Sequence, residues 1–330
     1  MKIDIVYTWV DGSDPDWRNR KFKRAKEVGN ILPDSNFDFR FMDNDELKYS
    51  LRSVEKFAPW VNNIFIVTDH QIPSWIDTSH PKINIVDHSE IFSDKKKLPT
   101  FSARGIESQI HHIKNLQEHF IYFNDDMFLG NFCTPEYFFT KNGLPRIFVS
   151  EIIPIPNRKA FDISLRPENK RNNHQYAIVN TRKLIKEKFN KSVYSNIRHG
   201  IKPLLKSVLA QLEDIFNEKI TNTSGNSFRT NDDILMFHLF NYYAIIKKLG
   251  KTKYVKTVDT KKKLLHQLTA HYNKFTFGYI NLHEKDVDEH LSKMKEEKPF
   301  TFCLNQTENT PEKNLIKIKN FLKDYFPLKS

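Results

Sequence analysis

The chain has 330 residues, 52 Lys and Arg against 40 Asp and Glu, and a net charge of +12. Its 39% hydrophobic content, with 27 Phe and 12 Tyr, provides for a sizeable core and excludes a disordered chain. The charge points to anionic partners, but there is no Cys/His zinc-finger spacing and no Walker-type loop. With 9 Gly in all, phosphate would be held by Arg, Lys or metal-bearing carboxylates rather than by a glycine cradle.

In chain order, Ile3 to Val10 reads as a strand that runs into Asp11-Gly12-Ser13-Asp14-Pro15, followed by a helix near Trp17 to Glu27. Residues 43 to 57 have helical spacing, with Leu47, Leu51, Val54 and Phe57 on one face. Asn63 to Thr68 and Lys82 to Val86 are strands. Phe101 to Leu116 is expected to be one helix, with Ile106, Ile110 and Ile113 on one side. Phe120 to Phe123 is an apolar strand ending on Asn124-Asp125-Asp126, and Arg146 to Val149 is a further strand. This alternation indicates an α/β fold with a mostly parallel, Rossmann-like sheet over residues 1–150.

Beyond Pro154-Ile155-Pro156 the composition shifts. Residues 157 to 175 read as a basic loop, and helices are expected near 181–189, 202–217 and 231–248. Residues 151–250 are therefore read as a mainly helical insertion, and 251–330 as late strands and an amphipathic tail helix that complete the domain. The late strands are Tyr254 to Val258 and Phe300 to Cys303; the helix is Pro311 to Phe326. Cys133 and Cys303 do not form a disulfide framework and suit a reducing compartment. The N-terminus has Asp4 where a signal peptide needs an apolar run, and no stretch reaches the ~18 apolar residues of a membrane span. A cytoplasmic protein is expected, with basic residues available for peripheral contact at the inner face of the membrane.

Five groups of residues could carry chemistry. Two adjacent acids at a strand end repel each other unless a cation lies between them, and ligands collect at the carboxyl ends of parallel strands. Asp125 and Asp126 are thus candidate metal ligands, with the turn or helix cap as the plainer alternative. Asp11 ends the first strand in the same manner. Arg40 and Arg52 could fork onto phosphate oxygens, although a solvated helix explains their charges as well. Glu107 and His111 are four apart, which on one helix gives a shared face for a metal or a proton relay, or an ordinary surface pair. His199 could accept a proton from a hydroxyl, and Arg229 could stabilise a transferring phosphoryl group.

Taken together and in order, these stretches resemble the Stealth family. Its members are hexose-1-phosphate transferases of bacterial capsule synthesis, related to the animal N-acetylglucosamine-1-phosphotransferase α/β subunit. The resemblance starts at Ile3 to Asp14 and is densest from Arg40 to Gly130, in DELKYSLRSVEKFAPWVNNIFIVTD, QIPSW, LPTFS, IES and FIYFNDDMF. Arg198-His199 with Pro203 and Ser227-Phe228-Arg229 with Asp232-Asp233 resemble a third region, and Lys298 to Gln306 a fourth. Gln306 stands where the family usually has Asp, which makes Asn305 the stronger site residue.

The resemblance implies a GT-A-like core that transfers a hexose-1-phosphate, as its N-acetylhexosamine form, from a UDP-sugar to a sugar hydroxyl of a growing capsular polysaccharide. A phosphodiester forms and UMP leaves. It further implies Mg²⁺ or Mn²⁺ on Asp125 and Asp126, with His199, Arg229 and Asp126 catalytic; His199 and Asp126 compete for the role of base. Asp11, Arg40, Arg52, Ser53, Glu107, His111 and Asn305 would contact substrate. The partners would be the UDP-sugar, an anionic polysaccharide acceptor and a capsule-assembly complex at the membrane, not nucleic acid. The alternative is a glycosyltransferase of the same fold class that releases UDP.

Overall fold

The computed structural model describes residues 1–258 and 275–327. Eleven strands run β1 (Ile3–Thr8), β2 (Ile64–Thr68), β3 (Ile83–Asp87), β4 (His119–Asn124), β5 (Met127–Leu129), β6 (Arg146–Val149), β7 (Lys202–Leu205), β8 (Lys251–Tyr254), β9 (Lys256–Thr257), β10 (Thr276–Asn281) and β11 (Thr301–Asn305). The helices described are α1 (Pro15–Val28), α2 (Pro33–Asn36), α3 (Glu46–Phe57), α4 (His88–Ile91), α5 (Ala103–Glu107), α6 (Asn173–Phe189), α7 (Lys206–Ile215), α8 (Asn217–Gly225), α9 (Met236–Lys247), α10 (Val287–Glu297) and α11 (Glu312–Tyr325).

The central sheet has the order β3-β2-β1-β4-β7. Its first four strands are parallel, as expected of an α/β fold, and β7 closes the edge antiparallel to β4. Both faces are covered, which explains the nearly unbroken apolar runs. Val6, Phe65, Val67, Phe120 and Tyr122 pack to one side with residues of α7 and α9. Ile5, Tyr7, Ile64, Ile66, Ile121 and Phe123 pack to the other with Leu47 and Val54 of α3. A second sheet, β5-β11-β10-β9, carries a separate core of Ile280, Phe302 and Leu304 against α10 and α11. β6 pairs with β8. Among the described residues, no helix is long and apolar enough to cross a membrane.

Several elements differ from the sequence expectation. The span 101–116 is not one helix: α5 stops at Glu107, and a single 3-10 turn covers Ile110–His112. The buried Ser108 hydroxyl donates to the Gly105 carbonyl (2.7 Å), and the Gln109 amide side chain donates to the Ser108 carbonyl (3.1 Å), so local polar groups end the helix. The span 202–217 begins as a strand. Lys202-Pro203-Leu204-Leu205 pairs with Tyr122-Ile121-Phe120-His119, and Pro203 is tolerated because β7 lies at the sheet edge. A proline preceding a periodic apolar run resembles a helix start, which is why the sequence reads this segment as helical. The helix near 181–189 extends back to Asn173, capped by the Asn172 side chain. Residues 151–250 therefore contribute β7 to the central sheet as well as α6 to α9. The sequence reading had not anticipated β5, β10 or α10.

Candidate active site

Two cavities, of about 160 and 190 Å³, open at the carboxyl ends of β1 and β4 and share Glu107, Asn124 and Arg229 as wall residues. The first is lined by Thr8 to Val10, Arg40, Phe41 and Asp125 among others. The second has His174, His199, Lys202 and His238 in its wall.

The acidic side comes from the tight turn between β4 and β5. The Asp126 amide donates to Asp125 Oδ1 (3.1 Å), and the Asp126 carbonyl accepts from the Leu304 amide (3.2 Å), so the turn is fixed between the two sheets. Asp126 Oδ2 accepts from the Cys303 thiol at 3.2 Å. Asp126 Oδ1 is buried and, among the described residues, meets no hydrogen-bond donor. Burial, then Asp126, Glu46 and Asp43, hold the Asp125 carboxyl well above the ordinary range. Burial pushes Asp126 up to about 6 and Glu46 up to about 7. Crowded, under-solvated carboxylates with an orphaned oxygen fit a hard divalent cation. Asp125 and Asp126 would hold it, with Glu46 and Asp43 close by.

The basic side faces these acids. One ring nitrogen of His199, an Asp126 carboxylate oxygen and Cys303 Sγ lie within 4.8 Å of one another. The His199 ring is open to solvent but enclosed by cleft walls and packs edge-on to Tyr279, with centroids 5.8 Å apart. The walls, then Lys202, His174 and Arg198, hold its pKa below the usual imidazole value, so the ring is neutral at pH 7. Lys202 is buried; its ammonium donates to the Arg198 carbonyl (2.7 Å) and to the Gly200 carbonyl. Burial lowers it to about 7, against the pull of Glu107. Burial, with Arg40 and Arg104 adding to it, lowers Arg229 to about 10.

The Arg229 loop is held by a buried ion pair. Arg104 donates to Asp233 Oδ2 (3.0 Å), to the Thr230 carbonyl (3.0 Å) and to Asn173 Oδ1 (2.7 Å). Asp233 also accepts from the Thr230 amide (2.9 Å) and the Asn226 side chain (2.8 Å). Arg40 reaches the first cavity through a close approach at Gly12. The Gly12 amide donates to the Phe41 carbonyl (2.7 Å), and a Cβ on Gly12 would lie 2.4 Å from that oxygen. Tyr122 joins the two sides: its hydroxyl bonds with Thr8 Oγ1 (2.8 Å) and donates to Glu107 Oε1 (3.3 Å).

The structure thus brings together Arg40, Glu107, Asp125, Asp126, His199 and Arg229. Asp126 joins them through its cluster with His199 rather than as a cavity wall, and the remaining sequence-derived residues lie outside both the cavity walls and that cluster. Asp11 Oδ1 accepts from the Ser13 amide (2.8 Å) and hydroxyl (2.6 Å), making the turn after β1. Arg52 stacks on Tyr49 at 4.9 Å, and the buried Ser53 hydroxyl donates to the Ser50 carbonyl (2.6 Å) and accepts from the Leu129 amide (3.1 Å). Asn305 donates to Asn281 Oδ1 (3.1 Å) on the neighbouring strand. His111 does not share a face with Glu107, because the helix ends between them; it bonds to Glu213 instead (2.8 Å). Lys202, His174, Tyr122 and Cys303 were not foreseen as cleft residues.

Comparison with known proteins accounts for much of this pattern. Conserved regions 1, 2 and 3 of the Stealth proteins match residues 1–28, 40–147 and 198–246. An exopolysaccharide phosphotransferase of Streptomyces coelicolor is 36% identical over 334 residues, covering 99% of this chain and 52% of that protein. The exopolysaccharide phosphotransferase CpsY of Mycobacterium tuberculosis is 34% identical over 332 residues, covering 99% of this chain and 57% of CpsY. The chain spans about half the length of the curated relatives it matches. The galactosyltransferase LgtC, solved with donor and acceptor sugar analogues, aligns at a TM-score of 0.44 and 8% identity over 99% of this chain and 97% of that one. The three matched regions carry the cleft's acid pair, its His199 with the strand that follows it and its arginine loop, and the chain belongs to the Stealth protein family.

Proposed function

We propose that this protein transfers a hexose-1-phosphate from a UDP-sugar to a hydroxyl of a polysaccharide, releasing UMP. The observation that carries this reading is the meeting of Asp126 and His199 within one 4.8 Å cluster, beside a wall holding Arg229 and Lys202. Phosphoryl transfer needs mainly positioning and charge stabilisation, which these groups can supply. The names of the relatives, exopolysaccharide phosphotransferases, support the same reaction class.

In this reading the donor diphosphate lies across the shared wall of the two cavities. Arg229 and Arg40 bond its oxygens. A divalent cation, Mg²⁺ or Mn²⁺, when bound by Asp125 and Asp126, neutralises charge on the diphosphate. The neutral His199 accepts the acceptor proton as the hydroxyl oxygen bonds to the β-phosphorus; the bond from that phosphorus to the bridging oxygen breaks, and UMP carries the electron pair away. Asp126 is the competing base, but its orphaned, buried oxygen beside Asp125 suits a cation. Lys202 stabilises charge on the phosphoryl oxygens. The net charge of +12 would steer an anionic acceptor to the cleft and to an anionic membrane surface. Asp11, Arg52, Ser53, His111 and Asn305 lie outside the cavity walls and make contacts within the fold, so this reading gives them no direct step.

The test is product analysis. With a panel of UDP-sugars, Mg²⁺ or Mn²⁺ and an oligosaccharide acceptor, ³¹P spectra should show a new phosphodiester, with UMP in equal amount. Release of UDP with a glycoside product would overturn the proposal in favour of glycosyl transfer.

A further inference from the structure

We propose that His111, His112 and Glu213 form a zinc site, separate from the cleft, that clamps two supports of the active site together. Nε2 of His111 and Nε2 of His112 both lie 2.8 Å from Glu213 Oε2. Two imidazole nitrogens and one carboxylate oxygen form a donor set that suits Zn²⁺, with a fourth position left for water. The cluster reaches solvent, with the His112 and Glu213 side chains 31% and 24% exposed.

The hydrogen-bond pattern asks for a cation. His112 Nδ1 faces the Ile91 carbonyl at 2.9 Å, so that nitrogen carries a proton. A neutral His112 then presents the lone pair of Nε2 to a carboxylate oxygen, which is repulsive. Either a second proton or a metal ion must lie between them. A backbone carbonyl holding the far nitrogen is the usual support of a metal-binding histidine. His111 Nδ1 is buried and, among the described residues, bonds to nothing, so the hydrogen bonding of this ring runs through Nε2 alone. Ordinary zinc bonds of ~2.0–2.2 Å would require each Nε2 to move from 2.8 Å to about 3.3 Å from Glu213 Oε2, a shift of about half an ångström. The Lys206 ammonium acts on both histidines from nearby but is itself held by the Ile113 carbonyl (3.1 Å) and the Leu116 carbonyl (3.5 Å).

The site would tie the turn after α5 to α7. α5 carries Arg104 and ends at Glu107; α7 follows directly on β7, which carries Lys202. One ion would thereby fix the spacing between a carboxylate and an ammonium that act in the cleft.

The experiment compares metal-stripped wild type with Glu213→Gln and His112→Gln. Both variants keep a polar side chain of similar size, and circular dichroism confirms their folding. After equilibration with Zn²⁺ and desalting, wild type should retain one equivalent more than either variant. Zinc bound at Asp126, His199 and Cys303 is common to all three proteins and cancels. Zn²⁺ should raise the wild-type Tm more than that of the variants. Co²⁺ should give a tetrahedral visible spectrum in wild type that each variant lacks. Equal zinc content in wild type and Glu213→Gln, or a Zn²⁺-induced Tm shift shared by all three, would overturn the proposal. Loss of folding in His112→Gln leaves Glu213→Gln to decide.

Discussion

The cleft has an acidic floor and a basic wall, and burial acts on them in opposite directions. Asp125, Asp126 and Glu46 are pushed up toward the neutral acid. Lys202 and Arg229 are pushed down toward the neutral base. Both sides therefore pay in stability for a charge that folding leaves uncompensated, and each is relieved by a different ligand. A divalent cation relieves the floor, and a diphosphate relieves the wall. A metal-bound nucleotide sugar supplies both at once, so cation and donor should each strengthen the binding of the other.

The sharpest way to break this contrast is Asp126→Ala. If the floor holds the cation, transfer should fall by about 10³-fold or more, and added Mn²⁺ should not restore it. Near-normal turnover would remove the floor from the mechanism.

The wall depends on its support. Asp233→Ala leaves Arg104 buried without its carboxylate and should cost about 3–5 kcal/mol in urea unfolding. A loss under 1 kcal/mol would mean that the Arg229 loop is held by other contacts.

Within the wall, His199→Ala should lower kcat by roughly 10²-fold or more. Because the enclosing cleft, then Lys202, His174 and Arg198, keep His199 below the ordinary 6.5, the acid limb of kcat/KM should fall below that pH. An unchanged pH profile in the variant would return the role of base to Asp126.

A smaller effect tests the floor without substrate. The folded Asp126 pKa of about 6 exceeds the ordinary 3.8. Between those values the folded protein holds the extra proton, so stability falls as pH rises, and the cost is complete above about 6. Metal-free Asp126→Asn should therefore melt above wild type at pH 7 and alongside it near pH 4. A variant melting below wild type at pH 7 would contradict the burial argument. Smallest of all, Arg52→Ala, stacked on Tyr49 outside both cavities, should change kcat/KM by no more than about twofold, which a donor-saturation curve would read.

Much of the floor could be read from sequence and less of the wall, for a physical reason. The floor is local: an apolar run ending on Asn124-Asp125-Asp126 states both the strand and the chemistry at its end. The wall is assembled from β7, α6 and the loop before α9, and no local pattern announces those contacts. Lys202 was hidden because Pro203 before an apolar run looks like a helix start, whereas here it marks an edge strand. His111 was assigned to the cleft because a continuous helix would put it beside Glu107; the buried Ser108 and Gln109 end that helix, and His111 turns to Glu213. Family resemblance placed His199 and Arg229, which composition and spacing alone left as ordinary residues.

The antiparallel pairing of β7 with β4 has a consequence for how this chain could change over time. Asp126 follows the end of β4 and His199 precedes the start of β7, so one hydrogen-bonded ladder sets their separation. The intervening segment from Ser150 to Asn196 enters that ladder at neither position. Loops could lengthen, shorten or exchange within residues 151–171, ahead of α6 and its His174, while the acid and the imidazole stay in register.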